Sequence, residues 1–476
     1  MADRIYEDGS LGVGPDKIFD SKHPLLQKEV LASILSLFKN PPPFRKKAIE
    51  TNVYIRLPQK RYAENLYPET KLRLLGLFNF WNVIYYFSPH KKLITGSWDN
   101  ALNYFIPRFI FAKDYKSYYW MLRELSARLN DGHAEITLNH SLIPPKDINN
   151  YYAPFCVKYL EGKTVVARLV HDSTQIDPIN KLNIGDEILA IDGIKVKELY
   201  EQWRQYVGGS NEPHYYIPLH KIPLLSRSGT KNIEVTYLHN GKKKITSLKP
   251  VSQDAYMKGF MKVYYPTIAA PYWKNLNDST GYVRLNNIYS NQVDSVWLTL
   301  KEKKYIILDA RGYPKDANIV KTIVAPFIKK IDTVCINTFP EITHPLLSRN
   351  AITIEAETVS PAPFNVKVPN NKKFILLCAN GNGSQAETNI ISLQKILHPI
   401  TIGTQTVGAN GVYNTILLPG GYAGHYSGFA VYYTDGTPNQ QLGVKIDIPV
   451  DITIKGDLNG KDEILERAMN YIKYAK

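Results

Sequence analysis

The stretch most able to do chemistry is Phe374-Ile375-Leu376-Leu377-Cys378-Ala379-Asn380-Gly381-Asn382-Gly383-Ser384-Gln385-Ala386-Glu387. An apolar run that reads as a buried strand enters an Asn/Gly turn, and a serine then opens an amphipathic helix. A hydroxyl on such a turn projects away from the chain. The unpaired N–H groups at a helix start can hold a developing oxyanion beside it, the pairing that acyl transfer requires. The same letters have a plainer meaning. Ser384 and Glu387 form an S-x-x-E pattern, which any helix can use as a capping box with no chemistry at all.

A nucleophilic serine needs a base. Some serine peptidases use a lysine about 25 residues downstream, after a glycine-rich strand end. The corresponding stretch, Gly403-Thr404-Gln405-Thr406-Val407-Gly408-Ala409-Asn410-Gly411, contains no lysine, so a Ser/Lys dyad is disfavoured and the base falls among the eleven histidines. Two stand out. His133 follows Leu129-Asn130-Asp131-Gly132, where a helical pattern ends; it can cap that helix or point toward another domain. His425, in Gly420-Gly421-Tyr422-Ala423-Gly424-His425, is nearer to Ser384 in sequence and reads as a polar residue of a glycine-rich loop.

The elements that must position these groups change character along the chain. Residues 1–65 are mixed, with a helical stretch near Leu25 to Phe38 closed by Pro41-Pro42-Pro43. From Leu72 to about Asp131, apolar residues fall at three- and four-residue spacing in three runs: Leu74 to Tyr85, Trp98 to Phe109 and Tyr118 to Leu129. That pattern predicts a small helical bundle. After Pro144-Pro145 come short β-branched and aromatic runs punctuated by Asp192-Gly193 and Asn240-Gly241, which predict a small β domain of roughly 100 residues. From about Thr280, strands (Gly281 to Leu285, Tyr305 to Leu308, Thr333 to Ile336, Phe374 to Ala379, Ile400 to Ile402) alternate with helices at Ile319 to Lys330 and Gln385 to Ile396. Alternation of this kind predicts a partly parallel α/β sheet with its site at the carboxyl ends of strands.

A chain of 476 residues, 44% hydrophobic and 21% charged, has the composition of a globular protein of about two to four domains. Three separated cysteines (Cys156, Cys335, Cys378) give neither a disulfide framework nor a zinc motif. The net charge of +15 invites a nucleic-acid reading. The lysines are scattered, and the densest runs (Lys242-Lys243-Lys244, Lys301 to Lys304) read as turn or surface-helix positions without any nucleic-acid motif. No apolar run reaches the roughly 18 residues of a membrane span, and the opening residues Met1 to Asp8 carry no apolar signal core.

Several separated segments resemble one family. Leu74 to Ile84 and the terminal Asp131-Gly132-His133, the turn Gly185-Asp186-Glu187-Ile188-Leu189-Ala190-Ile191-Asp192-Gly193, the strand and loop Ile307 to Pro314, the Ser384 to Glu387 segment and the closing Gly443-Val444-Lys445-Ile446-Asp447-Ile448 are similar, in that order, to the C-terminal-processing (tail-specific) serine peptidases and their tricorn-like branch. The resemblance implies a multidomain α+β protein. Its parts are an N-terminal region (1–65), a helical domain (66–150), a PDZ-like β domain (151–253) and an α/β (ClpP/crotonase-like) catalytic domain (254–476).

It also implies roles. Ser384 is the acyl-forming nucleophile, His133 the general base reaching across from the helical domain, and Gln440 the residue that orients the histidine. The oxyanion donors are the backbone N–H groups of Gln385 and Lys315. Lys315-Asp316 replaces the family's glycine pair, and Ile446 stands where proline is usual. Phe155, Cys156 and Val157 lie where a PDZ domain binds an extended peptide. The substrate is then a peptide or unfolded protein tail, without nucleic acid, metal or cofactor, and the resemblance implies a location in the cell envelope. The alternative is a weak or inactive pseudopeptidase that binds peptides or hydrophobic ligands in the same cleft.

Overall fold

The structure, a computed structural model, describes residues 65–138, 151–170, 182–219, 224–227, 229–266, 269–340 and 352–474, with residue 62 and the short pairs 4–5 and 11–12. The helix expected at Leu25 to Phe38 lies outside the described residues.

Three helices open the described chain: α1 (Thr70–Phe87), α2 (Trp98–Ile110) and α3 (Tyr115–Ala127). Asp114 caps α3 by accepting from the Ser117 N–H at 2.8 Å, and the Ser117 hydroxyl accepts in return from the Asp114 N–H. Beyond α3 the chain turns at Asn130, whose φ of 48° ends the helix, and passes through Asp131-Gly132-His133 into the short strand β1 (Ile136–Leu138).

The middle of the chain is a sheet of five main strands: β2 (Phe155–Leu160), β3 (Lys163–Leu169), β4 (Glu187–Ile191), β5 (Ile233–His239) and β6 (Lys242–Leu248), in the order β6-β5-β4-β3-β2. Both expected turns form with left-handed residues, at Asp192-Gly193 (φ 49° and 78°) and Asn240-Gly241 (φ 49° and 74°). Helices α4 (Val196–Trp203), α5 (Glu212–Leu219) and α6 (Gln253–Tyr264) complete this body, and α6 packs against β2. Lys242 to Lys244 lie on the edge strand β6 itself, in neither a turn nor a helix. Exposed lysines there discourage pairing with another chain.

The last part is built on a mostly parallel sheet of β7 (Trp273–Asn275), β8 (Thr280–Arg284), β9 (Tyr305–Asp309), β12 (Lys373–Cys378), β13 (Ile400–Gly403) and β17 (Ile448–Pro449), in that spatial order. Helices α7 (Val293–Leu300), α8 (Ile319–Ile323) and α9 (Gln385–Leu397) cover one face, and α10 (Glu463–Tyr474) covers the other through Ile464, Ala468 and Ile472. Buried on both faces, β9 and β12 are continuous apolar runs. The helix expected over Ile319 to Lys330 is only the five residues of α8. Pro326 lacks an N–H, and a short 3-10 turn at Ala325–Phe327 takes over.

Two antiparallel additions complete the fold. One is β10 (Asp332–Pro340) with β11 (Ile352–Val359) and β16 (Ala430–Tyr432). The other is the hairpin β14 (Tyr413–Leu418) and β15 (Tyr422–Ser427), to which β1 adds as a third strand with Tyr422 opposite Leu138 and Gly424 opposite Ile136. This pairing joins the helical segment to the α/β part. Leu77, Phe80, Phe109, Tyr118 and Leu125 share one core with Ile416, Leu418, Tyr422 and Tyr426. Each such buried side chain contributes about 1.5–3 kcal/mol, so the helices and the hairpin hold each other in place. Among the described residues no helix is long and apolar enough to cross a membrane.

Candidate active site

Ser384 sits at the junction of β12 and α9 with φ 55° and ψ −129°. A side-chain-bearing residue pays about 1–3 kcal/mol for such a conformation, which persists only where its surroundings enforce it. Here they do. Its N–H donates to the Ala409 carbonyl at 2.7 Å, and its own carbonyl accepts from the Glu387 and Thr388 N–H groups at 2.8 and 3.2 Å. The hydroxyl makes no cap bond; its hydrogen bond is to the Gly411 carbonyl at 3.5 Å. The capping-box reading therefore fails on its side chains. The Glu387 carboxylate turns inward and accepts from the Thr406 hydroxyl (2.6 Å) and the Gly408 and Ala409 N–H groups (2.8 and 3.1 Å). Burial raises its pKa to about 7 against these donors. Glu387 thus fixes the 406–409 loop that clamps Ser384. Among the described residues the Gln385 N–H, first of the helix, makes no hydrogen bond within the chain.

His133 reaches the same loop from the other side. A Cβ on Gly132 would lie 2.7 Å from the Ala409 Cβ and 2.9 Å from the His214 ring, so only glycine lets the Asp-Gly-His turn approach this closely. The His133 ring stands edge-on to Tyr413 with centroids 5.7 Å apart. Segment 409–413 is therefore a wall common to Ser384 and His133. The two side chains are not hydrogen-bonded to each other: His133 Nδ1 is 2.7 Å from the Ser427 hydroxyl instead. In unliganded enzymes a nucleophile–base contact is often long and tightens only with substrate.

The imidazole has a partner set that differs from the expected one. Asp131, fully buried, accepts at Oδ1 from the Ser427 hydroxyl (2.8 Å), the His133 backbone N–H (3.0 Å) and Gln440 Nε2 (3.2 Å), and at Oδ2 from the Ser427 N–H (2.6 Å). Gln440 thus binds the carboxylate and not the ring. Its Oε1 accepts from the Asn410 N–H at 3.4 Å. Since Ser427 gives its proton to Asp131, its oxygen accepts from His133, which puts the ring proton on Nδ1 and leaves the Nε2 lone pair free. Burial lowers the His133 pKa, with the Asp131 and Glu135 carboxylates pulling the other way. Burial would raise the Asp131 pKa, but His133, His90 and the two backbone donors outweigh it and keep it low.

The other histidines have different places. His425 lies in strand β15, not in a loop. Both its nitrogens face threonines (Thr137 at 2.8 Å, Thr415 at 3.1 Å), and it stacks on Tyr413, so no lone pair is left for Ser384. His90 and His214 flank the turn; burial lowers each to about 4, so both are neutral at pH 7. The β-domain also touches the turn directly. The Ser210 hydroxyl accepts from the Gly132 N–H at 2.6 Å, and Asn211 Nδ2 donates to the Thr406 carbonyl at 2.7 Å.

The expected second oxyanion donor is engaged. The Lys315 N–H donates to the Asn286 carbonyl at 3.3 Å. The next residue, Asp316, accepts from the Ser290 N–H and hydroxyl at 2.7 and 2.6 Å, a second tie between this loop and the 286–290 segment. Asn382, two residues before Ser384, donates to the Ala310 and Gly312 carbonyls at 2.8 and 3.1 Å and so ties the nucleophile turn to this loop. Gly312 takes φ 106°, and the Gly312 and Tyr313 N–H groups make no hydrogen bond among the described residues. Arg311 anchors the loop from behind, bonded to the buried Asp309 and bidentately to Asp462 at 2.6 and 2.7 Å.

Phe155, Cys156 and Val157 begin strand β2 and are buried in the β-domain core, backbone included, at 0%, 0% and 1% exposed, so the expected peptide-binding edge is covered there and opens only at Lys158 to Leu160. The Val157 carbonyl already accepts from the Tyr264 hydroxyl at 2.8 Å. Next to it a cleft of about 1220 Å³ runs between the two bodies, lined by Lys158, Tyr159 and Tyr216 on one side and Asn380, Gly381 and Thr404 on the other.

Asp131 and Ser427 were not singled out by the sequence. For Asp131 a signal existed: an aspartate two residues before a histidine can accept that histidine's N–H. Ser427 carried none, because its position depends on the β1–β15 pairing.

Comparison with known proteins agrees with this architecture. Residues 149–258 match the model of the PDZ domain, and residues 279–450 match that of Peptidase family S41. Among solved structures, mature CPAF complexed with lactacystin is 13% identical with a TM-score of 0.64, covering 85% of this chain and 98% of its own. Mature CPAF is 12% identical with a TM-score of 0.63, over 85% and 97% of the two chains. The photosystem II D1 C-terminal processing protease is 14% identical over 80% and 94% of the chains, with a TM-score of 0.43. No curated protein matches the chain in sequence.

Proposed function

We propose that this chain, a PDZ-containing serine-type peptidase of family S41, cleaves unstructured peptides and protein tails through an acyl-enzyme on Ser384 with His133 as general base. The observation that carries the reading is the uncapped Ser384 hydroxyl on a strained strand-to-helix elbow, sharing the wall 409–413 with the histidine. His133 Nε2 takes the Ser384 proton as Oγ bonds to the scissile carbonyl carbon, and the C=O electrons pass to the oxygen. The Gln385 N–H and those of Gly312 or Tyr313 receive the oxyanion. The protonated ring then gives its proton to the leaving amine, and water releases the acyl group. An extended peptide lies along the exposed end of β2, Lys158 to Leu160, and follows the cleft toward Asn380 and Gly381. Full-length protein and Ser384→Ala, incubated with an unstructured peptide bearing a free C-terminus, test this. Cleavage by the first alone supports it, and equal cleavage refutes it.

The Lys315 N–H bond to Asn286 favours a second reading, a binder that holds peptides or hydrophobic ligands in this cleft without hydrolysing them. Peptide retention by unmutated protein with no product and no labelling by a fluorophosphonate identifies that case.

A further inference from the structure

The geometry points to Asp131 and Ser427 as the positioning pair for His133, the buried carboxylate acting on the imidazole through the serine hydroxyl. The inference rests on the peptidase reading and adds to it a source of negative charge that Gln440, a neutral amide, lacks. Three observations carry it. Ser427 bridges Asp131 Oδ1 and His133 Nδ1 at 2.8 and 2.7 Å, both within ordinary hydrogen-bond range. Ser427 and Asp131 are 0% and 3% exposed, so their interaction is not screened by water. The carboxylate is fully engaged, with four donors on its two oxygens, one of them Gln440. Gln440 therefore braces the acid and does not touch the base.

The chemistry follows from the proton positions. Before attack, Nδ1–H is held by Ser427, so the lone pair is on Nε2. When Nε2 takes the Ser384 proton, the ring gains a full positive charge while the Nδ1 proton stays where it was. The charge is met through one hydroxyl by a carboxylate that stays ionised, and no proton moves along the bridge. Charged and titratable groups packed around the ring are Asp131 and Glu135 on its own segment, His90 beyond α1, His214 on α5, and His425 and Tyr413 on the hairpin. Of these, Asp131 is the acid joined to the ring by a hydrogen-bonded bridge.

The test is the rate at which a fluorophosphonate modifies Ser384 in the full chain, followed across the histidine titration range for the unmutated protein, Ser427→Ala, Ser427→Thr and Asp131→Asn. The expected result is a slowing of about 10²-fold or more in Ser427→Ala and Asp131→Asn at the alkaline plateau, with the midpoint of the acid limb moved to lower pH in both. Ser427→Thr, which keeps a hydroxyl, recovers most of the rate and the original midpoint. A slowing with a stationary midpoint and no recovery in Ser427→Thr overturns the pair's role, as do unchanged rates while Ser384→Ala is silent. Absence of Ser384 modification in the unmutated protein instead removes the peptidase reading on which the pair depends.

Discussion

His133 Nδ1 stands 2.7 Å from the Ser427 hydroxyl although 294 residues separate the two. The cause is a short strand pair. With Gly424 opposite Ile136, the same antiparallel register continued by three residues sets Ser427 opposite His133. The hydrogen bond from the His425 N–H to the Glu135 carbonyl carries that register partway. β14 extends the ladder, with Tyr413 opposite Ser427, and Tyr413 presents its ring to the imidazole. The histidine is thus delivered by backbone pairing, and its aim does not depend on a flexible interdomain contact.

The closeness of that delivery predicts intolerance at Gly132. Gly132→Ala places a methyl 2.7 Å from the Ala409 Cβ and 3.0 Å from the Ser210 hydroxyl. The expected outcome is a destabilisation of about 1–3 kcal/mol in urea titration with a larger proportional loss of kcat. Unchanged kcat in a folded variant contradicts the shared wall.

Arg311 tests the support of the oxyanion loop. Asp309 is fully buried and depends on Arg311 and Arg284 for its charge. Burial alone would raise its pKa, and the guanidinium groups reverse that. Arg311→Ala leaves the acid with too few partners and costs about 3–5 kcal/mol, read as a lower urea midpoint. Arg311→Lys, a single point donor, falls between the two. A midpoint within error of the unmutated protein contradicts the assignment.

His90 predicts acid sensitivity with a definite sign. Burial lowers its pKa to about 4 in the folded chain, against 6.5 when exposed. Above pH 6.5 the ring is neutral in both states and costs nothing. As pH falls from 6.5 toward 4, only the unfolded chain takes up the proton, so stability is lost, by about 3 kcal/mol in full. Melting curves of His90→Gln are expected to fall less steeply over that window. Parallel pH slopes for the two proteins contradict the burial argument.

Tyr264 predicts a loss. Its hydroxyl donates to the carbonyl of Val157, which is 1% exposed. Tyr264→Phe leaves that buried acceptor unpaired and costs about 1–3 kcal/mol, read as a lower urea midpoint. A midpoint equal to that of the unmutated protein contradicts the pairing.

Local features were the legible part of the sequence. Period and punctuation located α1 to α3, the turns at Asp192-Gly193 and Asn240-Gly241, and the strand–turn–helix around Ser384, because each is decided by neighbouring residues. Features decided by distant pairing were not legible. His425 reads as a loop residue until β14 and β1 flank it, and Ser427 has no local signal at all. Gln440 is in the expected region, but its amide meets Asp131 because the Asp-Gly-His turn places the carboxylate between it and the ring. At Lys315 the departure from the glycine pair that the resemblance implies was visible, yet the partner of its N–H, the Asn286 carbonyl, lies on another segment and had no local signal.

The central claim is that Ser384 is activated by His133, and intact-mass spectrometry after fluorophosphonate treatment tests it most directly. The expected result is one adduct per chain, mapped to Ser384, forming about 10²–10⁴-fold more slowly in His133→Ala. An adduct on another residue, or one on Ser384 that forms equally fast without His133, contradicts the account.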